Sequence, residues 1–256
     1  MYLQPNARCI APLKHLWQTA FGDDPAYIAL FFDGTWQRSH TFADFENGQL
    51  VSALYLLDCF VVLGGKQFSG YYLYAAATLP DFRKQGRMAG LLEEAKAFAA
   101  QQGRAFIALV PGESSLTAYY EKFGFFTAMH RYAGHLQGEL CTPLSPITPQ
   151  AYYEAAAALS EDRFLWTREN HAYALSCLAY NGCLPYAAEN GVLLTDGKST
   201  EELLAQTLPQ RFGGSCFAPR AYPGSEKQPF GMIFAADPTL KQALKQKTIY
   251  MNLALD

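Results

Sequence analysis

The stretch at residues 70–90 constrains the fold of this chain more than any other, because a strand pattern changes there into a helix pattern. Aromatic and small residues at 71–78 form a short run that Pro80 ends, which is typical of a buried strand. Apolar side chains then recur at helical spacing up to a stop at Gly103. The apolar stripe consists of Met88, Leu91, Leu92, Ala95 and Phe98. The sequence therefore predicts a strand, a loop and a helix in this order.

The loop between these two elements is basic and glycine-containing. Arg83, Lys84 and Arg87 lie around Gly86, just before the predicted helix. A helix N-terminus offers unpaired N–H groups and the positive end of the helix dipole, and glycine lets an anion approach the backbone closely. Arginine and lysine add charge and hydrogen-bond donors for phosphate oxygens. The loop is therefore predicted to bind a phosphorylated ligand, and a pyrophosphate is its natural guest.

These residues carry a family resemblance. The loop resembles the coenzyme A pyrophosphate loop R-x-x-G-x-[GA] of GNAT-superfamily N-acetyltransferases, with Met88 in place of the last small residue. Residues 119–125, YYEKFGF, follow a short apolar strand at 106–110 and are similar to the family's Tyr-Glu-Lys-x-Gly-Phe segment. The resemblance implies an α+β fold, with a mixed, mostly antiparallel sheet flanked by helices.

The same resemblance implies acetyl-CoA as co-substrate and gives roles to individual residues. Tyr120 corresponds to the tyrosine that lies near the sulfur of the coenzyme and protonates the leaving thiolate, a role that a phenol can fill at neutral pH. The strand end at residues 77–79 would pair with the pantetheine amides. No metal is expected. The implied coenzyme contacts are Ala77, Thr78, Leu79, Arg83, Lys84, Gln85, Gly86, Arg87, Met88 and Ala89.

The implied reaction is direct attack of a primary amine on the thioester of acetyl-CoA, with both substrates held in one cleft. A small molecule or a peptide would supply the amine, and a wall of Tyr71, Tyr72, Tyr74 and Tyr119 could attract it. The alternative is a non-catalytic coenzyme A-binding sensor or structural subunit, which Met88 and the absence of a carboxylate from residues 71–78 favour. The general base stays open among Glu46, Asp58, Glu113 and the terminal carboxylate of Asp256.

The elements before the loop fit the same fold. Helices are predicted at residues 9–21 and from Pro25 to about residue 32, with Asp23 and Asp24 as the start signal of the second. Asn47 and Gly48 predict the turn of a hairpin. In the family, the two helices form one wall of the acceptor cleft.

The length of 256 residues favours two domains. A catalytic unit at 1–138 would be joined by a proline-rich linker at 139–150 to a unit at 151–256. The second unit is expected to have two helices, an Asn190-Gly191 hairpin, a helix capped by Ser199, and closing strands at residues 230–235 and 248–255. This order repeats the first unit and predicts a degenerate GNAT-like half that lacks the R-x-x-G loop.

Composition excludes several other classes. A net charge of −3 and a pI near 6.0 argue against a nucleic-acid binder, whose footprint would be basic. The six cysteines are scattered, which is poor zinc spacing and typical of a cytoplasmic protein with reduced thiols. The N-terminus does not resemble a signal peptide, and no apolar run approaches the roughly 18 residues of a membrane span. A homodimer is left open.

Overall fold

The structure is a computed structural model that describes residues 2–3, 7–136, 144–188, 190–205 and 214–255. The first part of the chain contains β1 (Tyr2–Leu3), α1 (Ala7–Phe21), α2 (Pro25–Gly34), β2 (His40–Glu46), β3 (Gln49–Leu63), β4 (Lys66–Thr78), α3 (Arg87–Gln101), β5 (Phe106–Leu109), α4 (Thr117–Glu121) and β6 (Phe126–Leu136). The remainder contains β7 (Ser145–Pro146), α5 (Pro149–Ala157), β8 (Arg163–Trp166), α6 (Arg168–Tyr180), β9 (Leu184–Ala188), β10 (Gly191–Thr195), β11 (Thr200–Ala205), β12 (Gly214–Ala218), β13 (Glu226–Ala235), α7 (Pro238–Gln246) and β14 (Ile249–Tyr250).

The predicted elements before the basic loop are confirmed. Asp24 caps α2, where its side chain accepts a hydrogen bond from the backbone N–H of Ala26, and Pro25 occupies the first turn. β2 and β3 are joined by Asn47 and Gly48, whose φ angles of 50° and 82° are those of a tight hairpin turn. The two helices and the hairpin therefore form for the local reasons that the sequence gives.

The described strands form one sheet, in which β13 lies between β5 and β6 and is antiparallel to both. β6 pairs on its other side with β12, and β8 pairs with β3. Strands from both predicted units, at 1–138 and 151–256, therefore belong to one sheet. Of the predicted linker, residues 139–143 lie outside the described residues, while residues 145–146 form β7 and α5 begins at Pro149.

The helix predicted after Ser199 is wrong, because residues 200–205 form the strand β11. The side chain of Asp196 accepts hydrogen bonds from the backbone N–H groups of Lys198 and Ser199, which closes a turn between β10 and β11. The closing strand predicted at residues 248–255 is also shorter, since β14 covers two residues. The second half therefore does not repeat the predicted element order at these points.

The sheet buries apolar side chains on both faces. On one face α1, α2 and α6 cover a core that contains Trp17, Phe31 and Tyr173. On the other face α3 and α4 cover a core that contains Leu91 and Tyr120. Among the described helices, none has the length and hydrophobicity that a membrane crossing requires.

β4 and β5 separate partway along their length, which opens a gap in the sheet. Their parallel pairing runs from Gly70 opposite Phe106 to Tyr72 opposite Ala108. Beyond it, the register between β3 and β4 shifts, and Ala75 has a φ of 46°, which marks a bulge in β4. The end of β4 is thus directed away from β5 and toward the start of α3.

Gly70 is required where β4 and β5 are still paired. A Cβ atom at this position would lie 2.5 Å from ring atoms of Phe106, which is buried. We expect Gly70→Ala to lower the free energy of unfolding by about 1–3 kcal/mol, because the packed ring has to move. Urea unfolding measures the change.

Gly90→Ala is the matched control. Gly90 lies on the exposed side of α3, and a Cβ atom added there would have no atom of the described residues within 4 Å beyond its own helical neighbours. Alanine should stabilise the helix there by up to about 1 kcal/mol. Equal unfolding curves for the two variants would contradict the close packing between Gly70 and Phe106.

Candidate active site

A cavity of about 730 Å³ lies at the gap between β4 and β5, between the basic loop, the start of α3 and α4. Two of the predicted site residues do not line it. Leu79 is buried in the core, and the Gln85 side chain donates a hydrogen bond to the carbonyl oxygen of Asp81. The predicted residues that do line the cavity are Ala77, Thr78, Arg83, Lys84, Gly86, Arg87, Met88, Ala89 and Tyr120.

The loop turns sharply into α3 and leaves the first turn of that helix facing the cavity. Lys84 and Gly86 have φ angles of 60° and 79°, and Gly86 is the N-cap residue of α3. No side chain of the described residues caps this helix. Residues 86–89 all line the cavity. Their backbone N–H groups and the helix dipole provide a site for an anion at this end of the cavity.

The three basic side chains of the loop have different surroundings. Arg83 and Lys84 are exposed, and the Nε of Arg83 donates a hydrogen bond of 3.0 Å to the carbonyl oxygen of Thr78. Arg87 is ion-paired with two carboxylates of β2: its Nη1 lies 2.9 Å from Asp44 Oδ2, and its Nη2 contacts Glu46. Arg83 and Lys84 are therefore the basic side chains of the loop that these two carboxylates do not neutralise.

Tyr120 lies where the first cavity meets a second one. It projects from α4, is 7% exposed, and packs with its ring centroid 5.8 Å from that of Phe125. Burial raises the pKa of Tyr120 to about 12. The phenol is therefore protonated at neutral pH and can donate a proton or a hydrogen bond there.

The second cavity has a volume of about 340 Å³ and lies on the α1 side of the gap. Tyr120, Phe21, Ala76 and Leu116 line both cavities. α1 contributes part of its wall through Trp17 and Phe21, and no residue of α2 lines it. The remaining lining residues are Trp17, Asp23, Leu73, Tyr74, Ala75, Leu109, Val110, Gly112 and Leu255.

The four tyrosines of the predicted wall do not lie on one surface. Tyr74 lines the second cavity and Tyr119 lines the first. Tyr71 and Tyr72 lie in the core instead: the hydroxyl of Tyr72 donates to the carbonyl oxygen of Leu255, and Tyr71 packs on the α3 side of the sheet. Successive residues of a strand point to opposite faces, so a run of tyrosines cannot form one wall.

The carboxylates suggested as the general base are also separated. Asp58 Oδ1 lies 2.6 Å from Arg104 Nη2, and the carboxylate of Glu46 contacts Arg87. Glu113 lines the first cavity and accepts a hydrogen bond from Ser115. Asp256 lies outside the described residues.

Asp23 lines the second cavity, although no motif in the sequence marks it as a candidate site residue. Its Oδ2 accepts a hydrogen bond of 2.7 Å from Trp17 Nε1, and the residue lines the second cavity. In the sequence, Asp23 and Asp24 together predict the start of α2. A helix needs one N-cap side chain, and the second acidic residue is the signal that could have identified Asp23.

The described residues contain no group of three or more histidine, cysteine, aspartate or glutamate side chains that could hold a metal ion. Cys59, Cys177, Cys183 and Cys216 are buried thiols outside any disulfide, and burial raises the pKa of each.

Comparison with known proteins identifies the fold. Eis1 from Mycobacterium abscessus is 12% identical in sequence, with a TM-score of 0.67 over 92% of this chain and 73% of its own. A GCN5-related N-acetyltransferase from Kribbella flavida is 15% identical, with a TM-score of 0.66 over 91% of this chain and 71% of its own. A GCN5-related N-acetyltransferase from Anabaena variabilis is 12% identical, with a TM-score of 0.65 over 91% of this chain and 72% of its own. The chain has the mixed α+β fold of the GNAT acetyltransferases.

Residues 8–128 match the family model described as an acetyltransferase (GNAT) domain. They contain the basic loop, α3 and Tyr120, and this part of the chain is similar to that family. No curated protein matches the sequence.

Proposed function

We propose that this protein is an acetyl-CoA-dependent N-acetyltransferase that moves an acetyl group to a primary amine in a ternary complex. The observation that carries the proposal is the pair of cavities that meet at Tyr120, since a transfer reaction needs two binding spaces with a common boundary. The phenol at this boundary is buried and protonated at neutral pH.

The first cavity suits the coenzyme by the chemistry of its walls. The N-terminus of α3 and the exposed Arg83 and Lys84 suit a pyrophosphate. Ala76, Ala77 and Thr78 line the cavity beyond the point where β4 stops pairing with β5, so their backbone groups can bind an amide-containing arm. Arg87 is fixed by Asp44 and Glu46, and we assign it to holding the start of α3 against β2.

In the proposed reaction the deprotonated amine attacks the thioester carbonyl carbon from the side of the second cavity. A C–N bond forms and the C–S bond breaks, while the proton lost by the amine goes to solvent. Tyr120 gives its proton to the departing thiolate and then recovers one from solvent. Its raised pKa keeps the acid form present throughout the neutral and mildly alkaline range.

We further propose that residues 1–138 form the catalytic unit and that residues 151–256 complete it. The basic loop and Tyr120 both lie in the first unit. The second supplies β13, which lies beside β5, and Leu255, which lines the second cavity.

The proposal is tested by the release of free coenzyme A thiol from acetyl-CoA in the presence of a panel of primary amines. Amine-dependent thiol release, with the acetylated amine identified by mass spectrometry, is the expected result. Binding of acetyl-CoA without thiol release for any amine would contradict the enzyme and favour a coenzyme A-binding sensor.

A further inference from the structure

The second cavity carries one kind of charge. Asp23 is the acidic side chain among the described lining residues, which include no basic side chain. The others are aromatic, aliphatic or glycine. A carboxylate in such surroundings attracts cations strongly, because the apolar walls exclude part of the water that would screen it.

The carboxylate of Asp23 is held in place and is not needed for the fold of α2. The backbone at the start of α2 is capped by Asp24, not by Asp23. Trp17 Nε1 donates to Oδ2 of Asp23 at 2.7 Å, which fixes the side chain against α1. A carboxylate has about four acceptor positions on its two oxygens, so Asp23 can accept hydrogen bonds from a ligand as well.

Aromatic rings also line the second cavity. Trp17 and Tyr74 both line the cavity, and their ring centroids lie 5.3 Å apart. Ring faces attract a positive charge, and most strongly where water is excluded. The hydroxyl of Tyr74 is hydrogen-bonded to that of Tyr173, and burial raises the pKa of Tyr74 well above its usual range. This phenol therefore adds no negative charge of its own at neutral pH.

From this arrangement we propose that the second cavity binds a compact primary amine that carries a second positive charge at the far end of an apolar body, that Asp23 holds this second charge, and that amines with a carboxylate at the far end are rejected. The role of this ligand as acetyl acceptor rests on the proposed function. The volume of about 340 Å³ lies near the lower end for ligand pockets, which suits a small amine.

Three probes with the same six-carbon chain and the same primary amine test the charge preference. Hexamethylenediamine has a cationic far end, hexylamine has a neutral one and aminocaproate has an anionic one. Calorimetric titration into the full chain should give the tightest binding for the diamine and the weakest for aminocaproate, with at least about a tenfold spread. Thiol release from acetyl-CoA should follow the same order in kcat/KM.

Asp23→Asn keeps an oxygen that accepts the hydrogen bond from Trp17 and removes the charge. We expect the dissociation constants of the three probes to differ by less than about threefold in this variant. Asp24→Asn makes the same change in net charge one residue away, and asparagine also caps helices. Asp24→Asn should bind the three probes in the same order of affinity as the wild-type protein.

The cation site would be overturned if the wild-type protein bound none of the three probes. It would also be overturned if Asp23→Asn bound the three probes in the same order of affinity as the wild-type protein. Equal effects of Asp23→Asn and Asp24→Asn would overturn it too. Charge-ordered binding that depends on Asp23 without thiol release would support the cation site and contradict the acetyltransferase. Thiol release at equal rates with all three probes would support the acetyltransferase and contradict the cation site.

Discussion

Tyr120→Phe should lower kcat by at least about 100-fold, which is the usual contribution of a positioned general acid. The substitution removes the hydroxyl and keeps the ring, so the packing of Tyr120 against Phe125 and Tyr119 is preserved. The affinity for acetyl-CoA should change little. Thiol release under saturating substrates measures kcat, and calorimetry measures the affinity.

Tyr119→Phe is the matched control for this prediction. Tyr119 lies on the same short helix and lines the first cavity only, and its loss of a hydroxyl should leave most of the rate. The pKa of Tyr120, raised to about 12, adds a further test. A raised pKa keeps the acid form present. At every pH below about 11, we therefore expect no loss of the wild-type rate from deprotonation of Tyr120. A full rate in Tyr120→Phe would contradict the acid role.

Trp166→Ala should lower the free energy of unfolding by about 3–5 kcal/mol. Trp166 is 2% exposed and packs with its ring centroid 4.8 Å from that of Tyr72 in β4. Its Nε1 donates a hydrogen bond of 2.8 Å to the carbonyl oxygen of Leu253. The side chain thus connects β8, the centre of the sheet and the segment that leads to Leu255. Urea unfolding measures the loss.

Trp166→Phe separates the two contributions of this residue. Phenylalanine keeps much of the ring contact with Tyr72 but cannot donate to Leu253, so we expect a smaller loss of about 1–3 kcal/mol. If Trp166→Ala cost less than about 1 kcal/mol, residues 163–166 would not be part of the cooperative core. Two separate unfolding transitions in the wild-type protein would also contradict a core shared between the two halves.

Local signals in the sequence were sufficient for the first half of the fold. The Asn47-Gly48 turn, the Pro25 helix start and the stripe on α3 each depend on a few neighbouring residues, and all three are confirmed. The helix predicted after Ser199 failed because residues 200–205 are stabilised by distant partners. Glu202 is buried there and accepts hydrogen bonds from Tyr152 and Tyr250, which no local pattern contains.

The candidate site was predicted in the same uneven way. The loop at Arg83–Gly86 and the tyrosine at 120 follow from motifs whose residues are adjacent in sequence, and the structure brings them to one cavity. The pairing of Arg87 with Asp44 and Glu46 depends on β2 lying beside α3, which sequence spacing does not show. The placement of β13 between β5 and β6 is likewise a long-range event.

Calorimetric titration of acetyl-CoA into the wild-type chain and into Arg83→Ala/Arg87→Ala tests the central claim most directly. The wild-type protein should bind, and the double variant should bind at least about tenfold more weakly, because charge-assisted contacts to phosphate are lost and α3 is less firmly held. Arg38→Ala/Lys66→Ala removes the same charge from exposed positions that do not line the first cavity and should bind as wild type. A folded wild-type protein that does not bind acetyl-CoA would contradict the account.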